Sequence, residues 1–199
     1  MSKFLGPIHY WLYDKIGNQE KLTAAIAKYA ESKGLIASTA PYVKELPPLE
    51  SVIDENNIHG WLQAQITDAE TRYANLIVTL ECADEFDLTE VLGVAFEFGK
   101  DHAVSSDTDV MSVYEAFENF FVNGMPCDRV NVVVAQEPDA LSWEMTQDIH
   151  AAYWESRDCA IYYVIRKAVM DGMLADSSFR VTMNTPYQYS IQKNLRCKI

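Results

Sequence analysis

Hydrophobic side chains recur every three or four positions through much of residues 1–126, and at every second position in parts of residues 127–199. The first spacing is that of amphipathic helices, and the second is that of half-buried strands. The longest helical run covers residues 58–82 and follows Asn56 or Asn57, either of which can cap a helix. Two shorter helices are predicted after it, each behind a capping aspartate, at residues 88–103 and 110–121.

The segment before this long helix contains several glycine and proline signals. Gly6-Pro7 predicts the start of a first helix, because proline is tolerated at the first helical position. Gly17-Asn18 predicts a break, with Asn18 capping a second helix that ends at Gly34. Residues 35–48 hold three prolines and little periodicity, so we expect a long ordered loop there, followed by a short helical turn from Leu49.

The pattern changes to that of strands after Pro126. Val130 to Ala135 is short and β-branched, residues 141–146 alternate strictly, and Pro138-Asp139 between them is a turn signal, which together predict a hairpin. Helical spacing returns over residues 158–174, and alternation predicts two more strands from Phe179 and Tyr187. The sequence therefore predicts an α+β fold. A mainly helical part, residues 1–126, and an α+β part, residues 127–199, with a small antiparallel sheet and a packed helix, would form one compact unit.

The C-terminal part also resembles a known family. Over about residues 129–192, the order of hairpin, histidine-containing connection, helix and two strands is similar to that of L-2-amino-thiazoline-4-carboxylic acid hydrolase-like proteins. The residues that carry this resemblance are Trp143, Asp148, His150, Tyr163, Gly172, Phe179 and Tyr189. The resemblance implies the order of the elements and assigns no catalytic residue.

Composition and charge narrow the classes of partner. The chain has 199 residues, of which 49% are hydrophobic and 23% charged, as expected for a globular protein. Its formal net charge of −13 argues against nucleic acids and anionic membranes, since both are bound through basic side chains. No apolar run approaches the roughly 20 residues that span a bilayer.

The cysteines and the N-terminus predict a cytoplasmic protein. Cys82, Cys127, Cys159 and Cys197 are widely spaced, which predicts free and mostly buried thiols in a reducing compartment. The first residues lack the basic start and apolar core of a signal peptide.

Two segments of the chain resemble each other and share scarce histidines. Residues 8–20 and 58–70 are identical at six of thirteen positions, including His9/His59 and Glu20/Glu70. The two histidines would both take the third helical position if Gly6 and Asn56 are the caps. Each glutamate follows its own histidine by eleven residues, about 16 Å along a helix, so the two cannot hold one ion. Antiparallel packing of the helices would instead bring each histidine to the glutamate of the other.

These histidines and a third, His150, form the candidate metal site. A histidine in the first turn of a helix stays neutral beside the positive end of the helix dipole, and a neutral imidazole can bind a metal. We therefore predict that His9, His59 and His150, with Asp148 or Glu70 in support, bind a divalent transition metal such as Zn or Fe. The alternative is that each histidine is structural and hydrogen-bonded near a helix start.

The tryptophans are the second set of candidates. Trp11, Trp61, Trp143 and Trp154 could line a pocket for a flat organic cofactor, with a porphyrin as the second choice after a metal, or could simply pack the core. The sequence thus predicts a cytoplasmic protein that binds a small molecule or metal in a His-lined aromatic pocket, as in a metal-assisted hydrolase. The alternative is a non-catalytic ligand sensor or a homodimeric interaction module.

Overall fold

The computed structural model describes residues 5–155 and 157–194. Within these residues the chain forms five α-helices and four strands. The helices are α1 (Pro7–Ser32), α2 (Ile58–Glu81), α3 (Leu88–Lys100), α4 (Val110–Phe120) and α5 (Ala160–Met173). The strands are β1 (Asn131–Glu137), β2 (Ala140–Met145), β3 (Phe179–Thr185) and β4 (Gln188–Lys193), and single 3-10 turns lie at Leu49–Ser51, Pro126–Asp128 and Ala151–Tyr153. The predicted α+β class, with a helical N-terminal part and a sheet in the C-terminal part, is confirmed.

The break predicted at Gly17-Asn18 is wrong, because α1 continues through both residues. A glycine inside a helix costs only about 1 kcal/mol relative to alanine, and burial of the apolar stripe of α1 on both sides of Gly17 outweighs this cost. Asn18 does not cap a helix, and its side-chain amide donates to the carbonyl of Phe120 at 3.3 Å. His9 and Glu20 consequently lie on the same helix.

Other predicted ends of helices are confirmed. Gly34 follows α1 with a φ of 74°, a left-handed conformation that glycine adopts without strain. At the start of α4, the Asp109 carboxylate accepts a hydrogen bond of 2.9 Å from the amide of Ser112.

The start of α2 differs from the start of α1 by one position. Asn57 and not Asn56 caps α2, and its side chain accepts from the amide of Gly60 at 3.2 Å. His59 is therefore the second residue of α2, whereas His9 is the third residue of α1. The identical placement expected for the two histidines is wrong by one residue.

The chain folds into two compact units, and successive segments of the chain belong to one unit and then to the other. Unit 1 contains Met1–Asp87, Asn119–Asp128 and Ile149–Asp158; unit 2 contains Leu88–Glu118, Arg129–Asp148 and Cys159–Ile199. The chain thus passes from one unit to the other five times, once within the last turn of α4. The predicted boundary near residue 126 stays a prediction, which fragments of the chain can test.

Unit 1 is organised around the two long helices, which run in the same direction. His9 near the start of α1 contacts His59 near the start of α2, and Glu20 further along α1 binds Arg72 further along α2. The antiparallel arrangement is therefore not found. The core between the helices and the first 3-10 turn consists of buried apolar side chains, namely Leu12, Tyr13, Ile16, Leu49, Ile58, Leu62, Ile66, Ala69 and Val122.

Unit 2 is built on an antiparallel sheet with the strand order β1-β2-β4-β3. Its buried side chains alternate along the inner strands, so one face of the sheet forms the core; they include Leu141, Trp143, Met145, Tyr189 and Ile191. Helix α5 packs against β3 and against α3. The two helices approach closely at Gly99 and Gly172, where a Cβ on either glycine would lie about 2 Å from a backbone oxygen of the other helix. Only glycine fits this crossing.

Among the described residues, no helix combines the length and the apolar character that crossing a membrane requires.

Candidate functional site

His9 completes the start of α1. Its Nδ1 accepts a hydrogen bond of 2.9 Å from the backbone N–H of Gly6, and its own amide donates to the carbonyl of Gly6 at 2.9 Å. The first bond is the half of a capping box that the N3 side chain supplies, here from an imidazole in place of the usual glutamate or glutamine, and Gly6 has no side chain to supply the other half. His9 is buried, so the bond is shielded from water.

The cap determines which nitrogen of His9 carries the proton. Because Nδ1 accepts, the neutral ring is protonated at Nε2, which then donates to Nε2 of His59 at 3.4 Å. His59 is exposed, and the two ring centroids are 5.5 Å apart. The segments that resemble each other in sequence therefore meet through the matching histidines.

Their geometry meets one requirement of a metal site and fails another. Two ligand nitrogens on one zinc ion lie within about 4 Å of each other, and the His9–His59 separation satisfies this. However, a histidine that binds a metal through Nε2 normally donates from Nδ1, whereas Nδ1 of His9 accepts from Gly6. Binding a metal would cost His9 its capping bond.

His150 lies against Glu70 in the interior of unit 1. Its Nδ1 is 3.2 Å from a Glu70 carboxylate oxygen, and both side chains are at most 2% exposed. The distance is that of an ion pair, although the orientation is not that of a hydrogen bond. The contact joins the segment before the third 3-10 turn to the middle of α2, and with so little exposure it has the character of a structural contact.

The fourth predicted ligand, Asp148, belongs to unit 2. Within the described residues, no three or more histidine, cysteine, aspartate or glutamate side chains are grouped so that they could hold a metal ion. The structure thus brings His9 to His59 and His150 to Glu70. Metal binding by this chain stays a prediction from the sequence.

The four tryptophans occupy different environments. Trp11 and Trp61 are half-buried beside the core of unit 1, where Trp11 donates to the side chain of Asn119 at 2.8 Å. Trp154 is buried in the same unit, with its ring edge-on to Tyr73. Trp143 is buried in unit 2 and stacked on Tyr189, with ring centroids 5.0 Å apart. A shared cofactor pocket lined by all four stays a prediction.

A different cluster surrounds Asp148. One carboxylate oxygen accepts from the Tyr163 hydroxyl at 2.8 Å, and the other accepts from the Tyr187 hydroxyl at 2.9 Å and from the Cys159 thiol at 3.2 Å. All four residues belong to unit 2. Asp148 follows β2, Tyr187 lies in the turn between β3 and β4, and Cys159 and Tyr163 are on α5.

Cys159 is the residue that sequence reasoning missed. It is the N-cap residue of α5, and its thiol makes no hydrogen bond to the amides of the helix. The expectation of mostly buried thiols is wrong for the described cysteines, because Cys159 is buried whereas Cys82 and Cys127 are exposed. Cys197 lies outside the described residues. The available signal was a cysteine at a predicted helix start, four residues before a tyrosine.

The surroundings keep Tyr163 protonated. Burial raises the pKa of the Tyr163 hydroxyl far above its usual value, and its hydrogen bond to Asp148 raises that pKa further. The phenol therefore remains a donor and fixes the carboxylate. The edge-on contact of the Tyr163 and Tyr187 rings, with centroids 5.5 Å apart, holds the two hydroxyls on either side of Asp148.

This arrangement places a nucleophilic group beside a possible base. A thiol lies within hydrogen-bond reach of a carboxylate base, and other groups orient the base. Comparison of the chain with protein-family models, with curated proteins and with solved structures finds no match.

Proposed function

We propose that the protein is a small-molecule hydrolase in which the Cys159 thiol is the nucleophile and Asp148 is its general base. The observation that carries the proposal is the contact of 3.2 Å between the Cys159 sulfur and the Asp148 carboxylate, at the N-terminus of α5. Neighbouring helix dipoles and a base within hydrogen-bond reach are the two usual means of activating a cysteine.

The first half of the reaction forms an acyl-enzyme. The Cys159 sulfur attacks the electrophilic carbon of the substrate, and its proton passes to the Asp148 oxygen that already accepts the thiol hydrogen bond. Negative charge that develops on the substrate oxygen would be stabilised by the partial positive charge at the N-terminus of α5, where Cys159 lies. The leaving group departs with the proton from Asp148, and a thioester remains on Cys159.

The second half regenerates the thiol. A water molecule attacks the thioester carbon and gives its proton to Asp148, which returns it to the sulfur as the acid product leaves. Tyr163 and Tyr187 are positioning residues in this scheme, because their hydroxyls hold the two oxygens of the carboxylate. Removing either hydroxyl would loosen the base without removing it.

The burial of the site indicates the size of the substrate. Cys159 is 7% exposed and Tyr163 is fully buried, whereas Tyr187 is 39% exposed. A ligand therefore approaches from the side of Tyr187, and the electrophilic group that reaches the sulfur is small, such as the acyl group of a small ester or thioester. Free thiols at Cys82, Cys127 and Cys159 fit the reducing cytoplasm that this chemistry needs.

Thiol reactivity tests the proposal directly. In a C82S/C127S/C197S variant, Cys159 is the single cysteine, and we expect iodoacetamide to alkylate it about tenfold faster at pH 7.5 than it alkylates N-acetylcysteine. Adding D148N should slow the alkylation by at least about tenfold, because the base is lost. Mass spectrometry of the folded protein measures both rates. A Cys159 rate at or below that of N-acetylcysteine would refute the assignment.

Hydrolysis of p-nitrophenyl acetate provides the second test. We expect an acetyl group on the peptide that contains Cys159, loss of protein-dependent hydrolysis in C159A, and a decrease of about 100-fold in D148N. C127S is the matched control, since the exposed Cys127 also lies near a carboxylate, 3.9 Å from Asp128, and should retain full activity. Hydrolysis that survives in C159A would show that another group reacts.

A further inference from the structure

Strand β1 forms one edge of the sheet in unit 2. The strand order β1-β2-β4-β3 leaves β1 paired with β2 alone among the described strands. The side chains of β1 are exposed or half-buried at every position. The backbone groups of β1 that face away from β2 are therefore paired with no other described strand, which is the arrangement that a further strand can join.

This edge lacks most of the features that protect exposed strands. Natural edge strands commonly carry lysine, proline or several charges, which disfavour pairing with other chains. The sequence of β1, Asn-Val-Val-Val-Ala-Gln-Glu, has a single charge at its end. Val132 and Val134 are 45% and 53% exposed, among the most exposed large hydrophobic side chains that the structure describes.

A β-bulge is the one protective irregularity in β1. The register with β2 shifts between Val133 and Ala135, so Val134 has no directly opposite residue in β2. A bulge increases the local twist and leaves the extra residue unpaired in its own sheet. The most exposed valine of the strand is thus also the residue whose backbone is least engaged by β2.

We propose that β1 pairs with β1 of a second copy of this chain, antiparallel and about a twofold axis at Val133, to form a homodimer with one continuous sheet. A twofold interface is self-complementary, so each residue must suit the residue that the symmetry places opposite it. In this register Val132 lies opposite Val134 of the second copy, twice. Arg129, which precedes the strand, comes near Glu137 at the other end of β1 in the second copy, also twice.

Charge complementarity selects this register from its neighbours. An axis at Val132 would place Arg129 opposite Ala135, and an axis at Val134 would place it opposite Asp139, whose carboxylate is already paired with Lys193 in the same chain. Arg129 and Glu137 are both exposed. Arg129 also adopts a left-handed backbone with a φ of 46° where the chain enters β1, a conformation uncommon for residues other than glycine.

The overall charge opposes association of two copies. Each carries a formal net charge of −13, but at physiological ionic strength charges further apart than about 8 Å are largely screened. Contacts along β1 are closer than this, so the local charge pairs and the valines determine the outcome. The proposal is independent of the chemistry assigned to Cys159.

Sedimentation of the full chain at 150 mM salt tests the interface through charge reversal. We expect the wild-type chain to be a dimer. R129E and E137R should each raise the Kd by about tenfold, because each reversal affects two symmetric pairs. The double variant R129E/E137R should restore the wild-type Kd. A monomeric wild type, or a double variant no tighter than the single ones, would overturn the proposal.

The valines provide a second comparison. V134K places a charge at the centre of the proposed interface and should give monomers. V52K is the matched control, since Val52 is also exposed, at 38%, but lies in unit 1, and it should leave the dimer intact. Circular dichroism establishes that each variant is folded. A dimer that tolerates V134K would place the interface elsewhere and refute the pairing of β1.

Discussion

His9 combines two roles that rarely occur in one residue. At the third position of α1 it satisfies the amide of Gly6, which the helix itself cannot, and its other nitrogen reaches His59 on α2. The sequence predicted that His9 lies in the first turn of a helix and that His59 could meet it. It did not predict the capping bond, because histidine is not among the residues that usually close a capping box.

Replacing His9 separates capping from the contact with His59. We expect His9→Ala to lower the free energy of unfolding by about 1–2 kcal/mol, since a buried cap is lost. His9→Gln should lose less than half of this, because glutamine at the same position can accept from Gly6. His59→Ala removes only an exposed partner and should cost less than about 0.5 kcal/mol. Urea unfolding measures all three.

The relative sizes of these losses in unfolding free energy show whether the capping bond or the contact between the two rings contributes more to stability. Equal losses in His9→Ala and His9→Gln would mean that the ring, and not the cap, stabilises the helix start. A larger loss in His59→Ala than in His9→Ala would make the contact between the rings the dominant interaction.

The contact between Cys159 and Asp148 could not be predicted from the sequence. The sequence makes Asp148 a candidate metal ligand, because it lies two residues before His150. Its actual partners, Cys159, Tyr163 and Tyr187, are 11, 15 and 39 residues further along the chain. A spacing set by a folded hairpin and a helix has no periodic signature in the sequence.

Among the elements, helices and strands were predicted more accurately than their relative directions. The period of apolar residues identifies α2 and α5 and the alternation identifies the two hairpins, because burial of one face acts locally. The break predicted at Gly17 is wrong for a physical reason. The free-energy cost of one glycine within a helix is small compared with the free energy gained by burying the apolar face of a 26-residue helix. The parallel course of α1 and α2 depends on the long connection between them, for which no local rule exists.

The crossing of α3 and α5 is the element contact most sensitive to a single methyl group. In Gly172→Ala the new Cβ would lie 2.0 Å from the carbonyl oxygen of Phe96, so the helices must separate, and we expect a loss of more than about 3 kcal/mol. Gly93→Ala on α3 is the matched control. Its Cβ meets no other atom within 4 Å, so it should stabilise the helix by about 0.5–1 kcal/mol.

Thermal unfolding followed by circular dichroism checks this pair. Opposite signs for the two substitutions are expected, although both replace a glycine within a helix by alanine. A small effect of Gly172→Ala would mean that the two helices can move apart without loss of packing elsewhere in unit 2.

At the scale of the whole molecule, the fold class could be predicted from the sequence, and the predicted division of the chain stays a prediction. A boundary near residue 126 follows the change from helical to alternating pattern. Each compact unit contains separate segments of the chain, and in unit 1 residues 149–158 supply His150 and Trp154 to the side chains of α2. The strand order β1-β2-β4-β3 likewise depends on pairing between hairpins, which pattern alone does not determine.

Fragments test how far each part depends on the rest. We expect residues 1–126 alone to show helical circular dichroism without a cooperative thermal transition, because Glu70 and Tyr73 lose their partners His150 and Trp154. Residues 1–158, which contain every segment of unit 1, should unfold more cooperatively. A sharp transition in residues 1–126 would support the boundary predicted from the sequence.

The repeated passage of the chain between the two units also affects its synthesis. When Asp87 leaves the ribosome, α1 and α2 are complete, but the last segment of unit 1 is not yet made. Glu70 stays without His150 until 63 further residues have been added, which takes several seconds at about 5–20 residues per second. The nascent chain therefore exposes an unfinished core to chaperones and proteases over this interval, and unit 1 can be completed only after residues 149–158 have been added.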